Sequence, residues 1–207
     1  MYIIIEKSLG KKDFMKILEL LADGNETIEL LTVVDYLRRA GIEIDMVSTT
    51  GSKNLRTSHG VSYQADFLLE EINPADYDGV YIPGGTAGAE SLRDNEKVIE
   101  IIKDFDKANK LIAAICAGPI VLDRAGVLAN KKATSFPTIK AELENIGEYI
   151  DDEIVVTDGN ITTGRGAAVT NYLALRLVEI IKGEEAKEKI KYGTQHSAVE
   201  EYFGIRF

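Results

Sequence analysis

The chain has 207 residues, 45% of them hydrophobic, and a formal charge of −10 from 34 acidic against 24 basic side chains. That length fits one domain with a substantial core, and the negative balance disfavours nucleic acid as a partner, because a phosphate-binding face needs the opposite sign. No apolar stretch reaches membrane-spanning length and the run Met1 to Ile5 is too short for a secretion signal, so a cytoplasmic protein with a reduced cysteine is expected.

Residues 1–14 read as an N-terminal extension ahead of Met15, itself an ordinary first residue. Met15 to Leu21 is the first expected strand, followed by the polar loop Ala22-Asp23-Gly24-Asn25-Glu26. Asn25 is placed to cap a helix running to Ala40, with Leu30, Val33, Val34 and Leu37 at core spacing and Gly41 as the stop. Ile42 to Ser48 predicts a second strand, and Thr49 to Asp66, with polar runs around His59, a hairpin or irregular β excursion. Gly79 to Ile82 is the next strand, and Pro83-Gly84-Gly85-Thr86-Ala87-Gly88 a tight loop opening a helix. Val98, Ile101, Ile102 and Phe105 predict a helix over Asn95 to Ala108, which leads into Leu111 to Ile115, an uncharged run suited to a strand buried on both faces.

Further on, the pattern predicts a short strand near Ala133, a helix around Thr138 to Ile146, strands at Glu153 to Thr157 and Ile161 to Thr163, and an apolar helix from Ala167 to Ile181. The charge-rich stretch Gly183 to Lys191 reads as a solvated helix. The tail 183–207 ends in Tyr202, Phe203, Ile205 and Phe207 and is expected to pack on the domain or on a dimer mate; His196 within it receives no role. Strands alternating with helices predict an α/β fold over 15–182: flavodoxin-like, doubly wound, with a mostly parallel sheet sandwiched by helices.

In such sheets ligands bind beyond the carboxyl ends of the strands. Three loops have that polarity: Ala22 to Glu26, Gly84-Gly85-Thr86, and Cys116-Ala117-Gly118-Pro119. Cys116 is the only cysteine of the chain. Pro119 suits a first helical turn and Gly118 its cap, so Cys116 falls at a strand-to-helix elbow, a placement used by hydrolase nucleophiles. Free amides and the positive end of a helix can lower a thiol pKa from about 8.5 to roughly 3.5–7.5; the other use of a lone cysteine is as an inert buried hydrophobe. If the loops converge, the N–H groups of Gly85 and Ala117 make an oxyanion hole, and Glu29 or Glu26 moves protons, a carboxyl beside a thiolate tending to keep its own. Arg165 fits either the orientation of a substrate carbonyl or anion or a plain surface position. The glycine loop lacks the Gly-Lys-Ser/Thr of a nucleotide site, and one cysteine with two distant histidines forms no metal set, so neither metal nor cofactor is expected.

Ala22-Asp23-Gly24 with Glu26 and Glu29, Leu37-Arg38-Arg39-Ala40-Gly41, Pro83-Gly84-Gly85, Ala113-Ala114-Ile115-Cys116-Ala117-Gly118-Pro119 and Gly164-Arg165-Gly166 together resemble the ThiJ/PfpI superfamily, also called the DJ-one superfamily. The resemblance runs from Met15 to Ile181 in order. It implies a flavodoxin-like homodimer, with Cys116 as reactive nucleophile, Glu29 as the glutamate bonded to the thiol, and Gly85 and Ala117 at the oxyanion-hole positions. Peptidase-like members place a histidine after the nucleophile, where this chain has Ala117; the human-like branch has a histidine before a later proline, where this chain has Phe136. Ser135-Phe136-Pro137-Thr138 looks like the bacterial ThiJ or YajL type, which leaves activation of Cys116 to Glu29, the helix end and local amides. His59 falls near an arginine that relatives present across the dimer, so it is an anion-binding candidate, with a solvated loop histidine as the plainer reading.

The resemblance implies a cysteine-dependent stress-response enzyme acting on small reactive carbonyls, of glyoxalase or deglycase type, with methylglyoxal or its protein adducts as substrate. The alternative is a redox sensor or chaperone in which an oxidant modifies Cys116 without turnover, damaged proteins being its partners. A cysteine peptidase or amidase ranks third.

Overall fold

The structure, a computed structural model, describes residues 15–205; the extension expected over residues 1–14 lies outside the described residues. Strand β1 (Lys16–Leu21) is buried from Ile17 onward, as a central parallel strand must be, and it carries a fully buried glutamate, Glu19. Helix α1 (Thr27–Arg39) turns Leu30, Val33, Val34 and Leu37 inward. Its N-cap is Glu26 and not Asn25: the Glu26 carboxylate accepts the Glu29 N–H at 2.9 Å. The Asn25 side chain instead ties the loop together, accepting the Ala22 N–H at 2.7 Å and donating to the Gly84 carbonyl at 2.9 Å.

Strand β2 (Glu43–Ser48) follows, then the antiparallel hairpin of β3 (Asn54–Arg56) and β4 (Ser62–Gln64). Next come β5 (Phe67–Leu68), β6 (Gly79–Ile82), α2 (Thr86–Arg93), α3 (Glu96–Lys107), capped by Asn95, and β7 (Leu111–Ile115). After the elbow come α4 (Pro119–Arg124), β8 (Lys132–Ala133), β9 (Glu148–Tyr149), β10 (Val155–Asp158), β11 (Ile161–Gly164) and α5 (Thr170–Lys182). Helices α6 (Glu184–Gly193) and α7 (His196–Phe203) complete the described chain.

The main sheet has the order β10-β11-β7-β6-β1-β2-β5, parallel throughout except for the β10–β11 hairpin at one edge. Leu18, Leu20, Val80, Ile82 and Ile112 face one core layer with Val98, Ile102, Phe105 and Val121; Ile17, Leu21, Tyr81 and Ile115 face the other with Leu30, Val33, Leu173 and Leu177. Each such side chain stabilises the fold by roughly 1.5–3 kcal/mol through burial alone. The mostly parallel, doubly wound sheet sandwiched by helices thus matches the expectation.

Three details differ from it. The helix expected at Thr138 to Ile146 is a 3₁₀ segment, Pro137–Glu142, because Pro137 starts it and too few apolar residues follow to bury a longer helix. Edge strand β5 has only two residues, too few to show an alternation. Helix α6 is not simply solvated: Lys187, Ile190 and Lys191 are buried, with Lys191 paired to Glu200 at 2.7 Å and to Glu188 at 3.2 Å. His196, given no role from sequence, packs edge-on against Tyr36 and Tyr172, with its Nε2 2.6 Å from the Asn171 amide nitrogen.

Candidate active site

Cys116 adopts φ = 61°, a left-handed conformation that cysteine rarely takes, so the chain reverses abruptly between β7 and α4. Three backbone bonds hold this turn. The Cys116 N–H donates to the Gly164 carbonyl at 2.9 Å, the Phe136 N–H donates to the Cys116 carbonyl at 3.0 Å, and the Gly118 N–H donates to the Ile115 carbonyl at 2.8 Å. The half-buried thiol faces the Glu29 carboxyl and the backbone amides of Gly85 and Ala117.

Gly84 makes that approach possible. A Cβ there would lie 2.5 Å from Glu29 Oε2, 2.7 Å from Cys116 Cβ and 2.9 Å from the Ala117 nitrogen. Its own N–H donates to Glu29 Oε2 at 2.8 Å, and its carbonyl accepts the Glu26 N–H at 3.0 Å. Gly85 is at φ = 82°, and its own amide faces the sulfur. Three loops from three strand ends therefore meet at one carboxyl and one thiol.

Electrostatics corrects one expectation. The thiol is not lowered: burial first, then the charge of Glu29 and its hydrogen bond, push Cys116 up to about 12, against the weaker lowering by the Gly85 and Ala117 amides. Helix α4, which opens just after the elbow, has only six residues. Burial likewise raises the Glu29 carboxyl to about 7, the Cys116 contact and the Gly84 amide pulling the other way. Glu29 Oε1 is buried without a hydrogen-bond partner, which is why its ionised form is disfavoured. Above about pH 7 the pair therefore holds one proton and one negative charge, since removing both protons would leave two charges in one buried pocket.

The other expected residues lie around this pair. Glu26 is in the same loop but engaged as the α1 cap. Arg165 is half-buried on the β11 side, and its guanidinium donates to the Asp151 carbonyl. His59 is exposed, in a loop tied to the site by the Ser58 N–H, which donates to the Asn25 carbonyl at 2.9 Å. Two contributors were not singled out from sequence: Tyr81, whose hydroxyl donates to the Glu29 carbonyl at 2.9 Å, and Asn25 in its stapling role. An asparagine in a short loop signals local bonding, but a tyrosine inside a strand looks like any core residue. Among the described residues no group of His, Cys, Asp or Glu is arranged to hold a metal ion, and no helix is long and apolar enough to cross a membrane.

Known proteins share this arrangement of chain. Protein dj-1beta of Drosophila melanogaster is 35% identical over 176 residues, covering 85% of this chain and 94% of the relative. Its crystal structure superposes with a TM-score of 0.84 over 88% of this chain and 98% of that one. A protein named deglycase from Thermococcus kodakarensis is 39% identical over 152 residues, 73% of this chain and 90% of the relative. A DJ-1 structure from Toxoplasma gondii, described as oxidized, has a TM-score of 0.81 at 34% identity, covering 87% and 98% of the two chains. The DJ-1/PfpI family pattern matches residues 15–180, a span that contains all three site loops, and on that match this chain belongs to the DJ-1/PfpI family.

Proposed function

We propose that the protein is a cysteine-dependent stress-response enzyme that acts on reactive carbonyls, as a glyoxalase or deglycase on methylglyoxal or its early adducts with proteins. The observation that carries this reading is a strained cysteine set against one raised carboxyl and the amides of Gly85 and Ala117. The deglycase name of the Thermococcus relative supports the same class.

In the reactive form Glu29 holds the shared proton and Cys116 is the thiolate. The sulfur adds to the aldehyde carbon; the new oxyanion rests on the Gly85 and Ala117 N–H groups and takes the Glu29 proton, giving a hemithioacetal. Glu29, now a carboxylate, removes the proton from that carbon and returns it to the adjacent ketone carbon, while the hydroxyl proton passes from the first oxygen to the former ketone oxygen, giving a thioester with a neighbouring hydroxyl. One carbon is oxidised as its neighbour is reduced, so no outside redox partner enters. Water then cleaves the thioester to a 2-hydroxy acid and restores the thiol. Arg165 and His59, at the rim, would steer carbonyl or anionic groups. We take the working unit to be a cytoplasmic homodimer, for which Ile28 and Leu31 on α1 and Val61 in the hairpin provide an exposed apolar face.

Purified protein should consume methylglyoxal, with Cys116→Ala abolishing consumption and Glu29→Gln lowering it by about 10²–10⁴-fold. Equal rates for wild type and Cys116→Ala would overturn the reading. A redox-sensing use has support in the same two amides, which would receive a sulfinate oxygen, and in the oxidised form of the Toxoplasma relative. Mild peroxide should then add oxygen mass at Cys116; an unchanged thiol sinks that alternative. The peptidase reading has no histidine base beside Cys116, the next residue being Ala117.

A further inference from the structure

Glu19 is the most anomalous residue of the core. It sits at the middle of β1, fully buried, and neither carboxyl oxygen has a hydrogen-bond partner. The hydroxyl of Tyr63, on the adjacent β4 hairpin, is also buried without a partner. Tyr81 is the direct neighbour of Glu19 across the β1–β6 ladder, and parallel partners in register project to the same face. Tyr81 in turn donates its hydroxyl to the carbonyl of Glu29 in the first turn of α1. A run of polar groups thus leads from the centre of the sheet to the main chain of the carboxyl that meets Cys116.

Tyr63 can offer a proton to only one Glu19 oxygen, and the Tyr81 hydroxyl already donates to Glu29, so the second oxygen is suited to a role as donor. An ionised Glu19 could accept from Tyr63 but would leave a charge in the apolar layer of Ile17, Leu21, Val33 and Leu37. Among the described residues the cation facing it, Arg38, is engaged with Asp66 at 2.8 Å and the Ile44 carbonyl at 3.0 Å. Asp66 faces Glu19 and Asp23 faces Tyr63, and both oppose a further negative charge. A neutral acid donates once and accepts once, which fits the groups around it.

We propose that Glu19 is a positioning residue: a neutral carboxylic acid that forms a buried polar triad with Tyr63 and Tyr81 and, through Tyr81, sets where Glu29 meets Cys116. The proposal rests on Cys116 and Glu29 as the reacting pair. Burial drives the Glu19 carboxyl well above the ordinary carboxylate range, and Glu19 in turn opposes ionisation of both tyrosines. Burial therefore favours the protonated form of Glu19, and a charge on Glu19 would disfavour ionisation of either tyrosine.

Two measurements on the full chain test it. Carbon NMR of the glutamate side chains, assigned with Glu19→Gln, should show Glu19 still protonated at pH 7; titration at the ordinary value near 4.3 would overturn the proposal. The pH profile of Cys116 alkylation should be unchanged in Glu19→Gln, which keeps the neutral hydrogen-bonding shape. In Glu19→Leu and Tyr81→Phe it should move by about 0.5 pH unit or more, a threefold change in reactive fraction. Folded Glu19→Leu and Tyr81→Phe proteins with the wild-type profile would reduce the triad to a core feature and refute the positioning role. If Glu29→Gln also leaves the profile unmoved, the reacting pair itself is wrong, a failure distinct from one confined to Glu19 and Tyr81.

Discussion

At the scale of single residues, the site sets two acids, Cys116 and Glu29, against one another. The sign of its pH dependence follows from Glu29, whose carboxyl is raised to about 7: the pair gains its negative charge as pH rises through that value. Alkylation of Cys116 should rise through an inflection near 7 in the wild type, and that inflection should vanish in Glu29→Gln, as rates measured with a neutral alkylating agent will show. Gly84→Ala places a methyl 2.5 Å from Glu29 Oε2 and 2.7 Å from Cys116 Cβ. It should lower carbonyl turnover at least ~10²-fold while the far-ultraviolet circular dichroism stays native, because a displacement near 1 Å has that cost in a reacting pair. The elbow of Cys116 and the close approach of the glycines have local reasons in the sequence, whereas Glu29 was separated from Glu26 only by the family resemblance. The raised thiol was not legible, since its causes, burial and the charge of Glu29, come from residues distant in sequence. Glu19 and Tyr81 were hidden for a related reason: nothing in a strand of Ile and Leu announces which polar residue has been buried alone.

At the scale of elements, helices with strong apolar spacing were legible nearly to the residue, as in the helix expected at Asn95 to Ala108 and found as Glu96–Lys107. Elements held by tertiary contacts were not. Helix α6 reads as solvated because lysine is usually exposed, yet Lys191 is 5% exposed and bridges Glu188 to Glu200, joining α6 to α7. Lys191→Met would leave the buried Glu200 carboxylate without its cation, an unpaired charge that costs about 3–5 kcal/mol. Amide exchange in α7 should then accelerate strongly while exchange in β1 and β7 changes little. Uniform acceleration across the chain would show instead that α7 unfolds only with the whole domain.

At the scale of the whole molecule, the alternation of strands and helices was enough to predict the layered architecture, because parallel strands joined by crossovers have few right-handed solutions. The strand order and the short edge β5 were beyond it, since both depend on which strands meet in space. The site taxes the fold in a way that global unfolding detects. Folded Glu29 keeps a proton that the unfolded chain releases, so its contribution is fully present below about 4.5 and is lost as pH rises toward about 7. Chemical denaturation between pH 4 and 8 should show Glu29→Gln gaining on the wild type across that window, by on the order of 3 kcal/mol at most. Parallel curves for the two proteins would contradict the raised carboxyl. The bond from the Cys116 N–H to the Gly164 carbonyl also has a consequence in time. During synthesis, the 164 − 116 = 48 residues between them take on the order of 2–10 s to add at about 5–20 residues per second. Until β11 arrives beside β7, the elbow lacks that brace, so for that interval the left-handed turn at Cys116 is held by one backbone bond fewer.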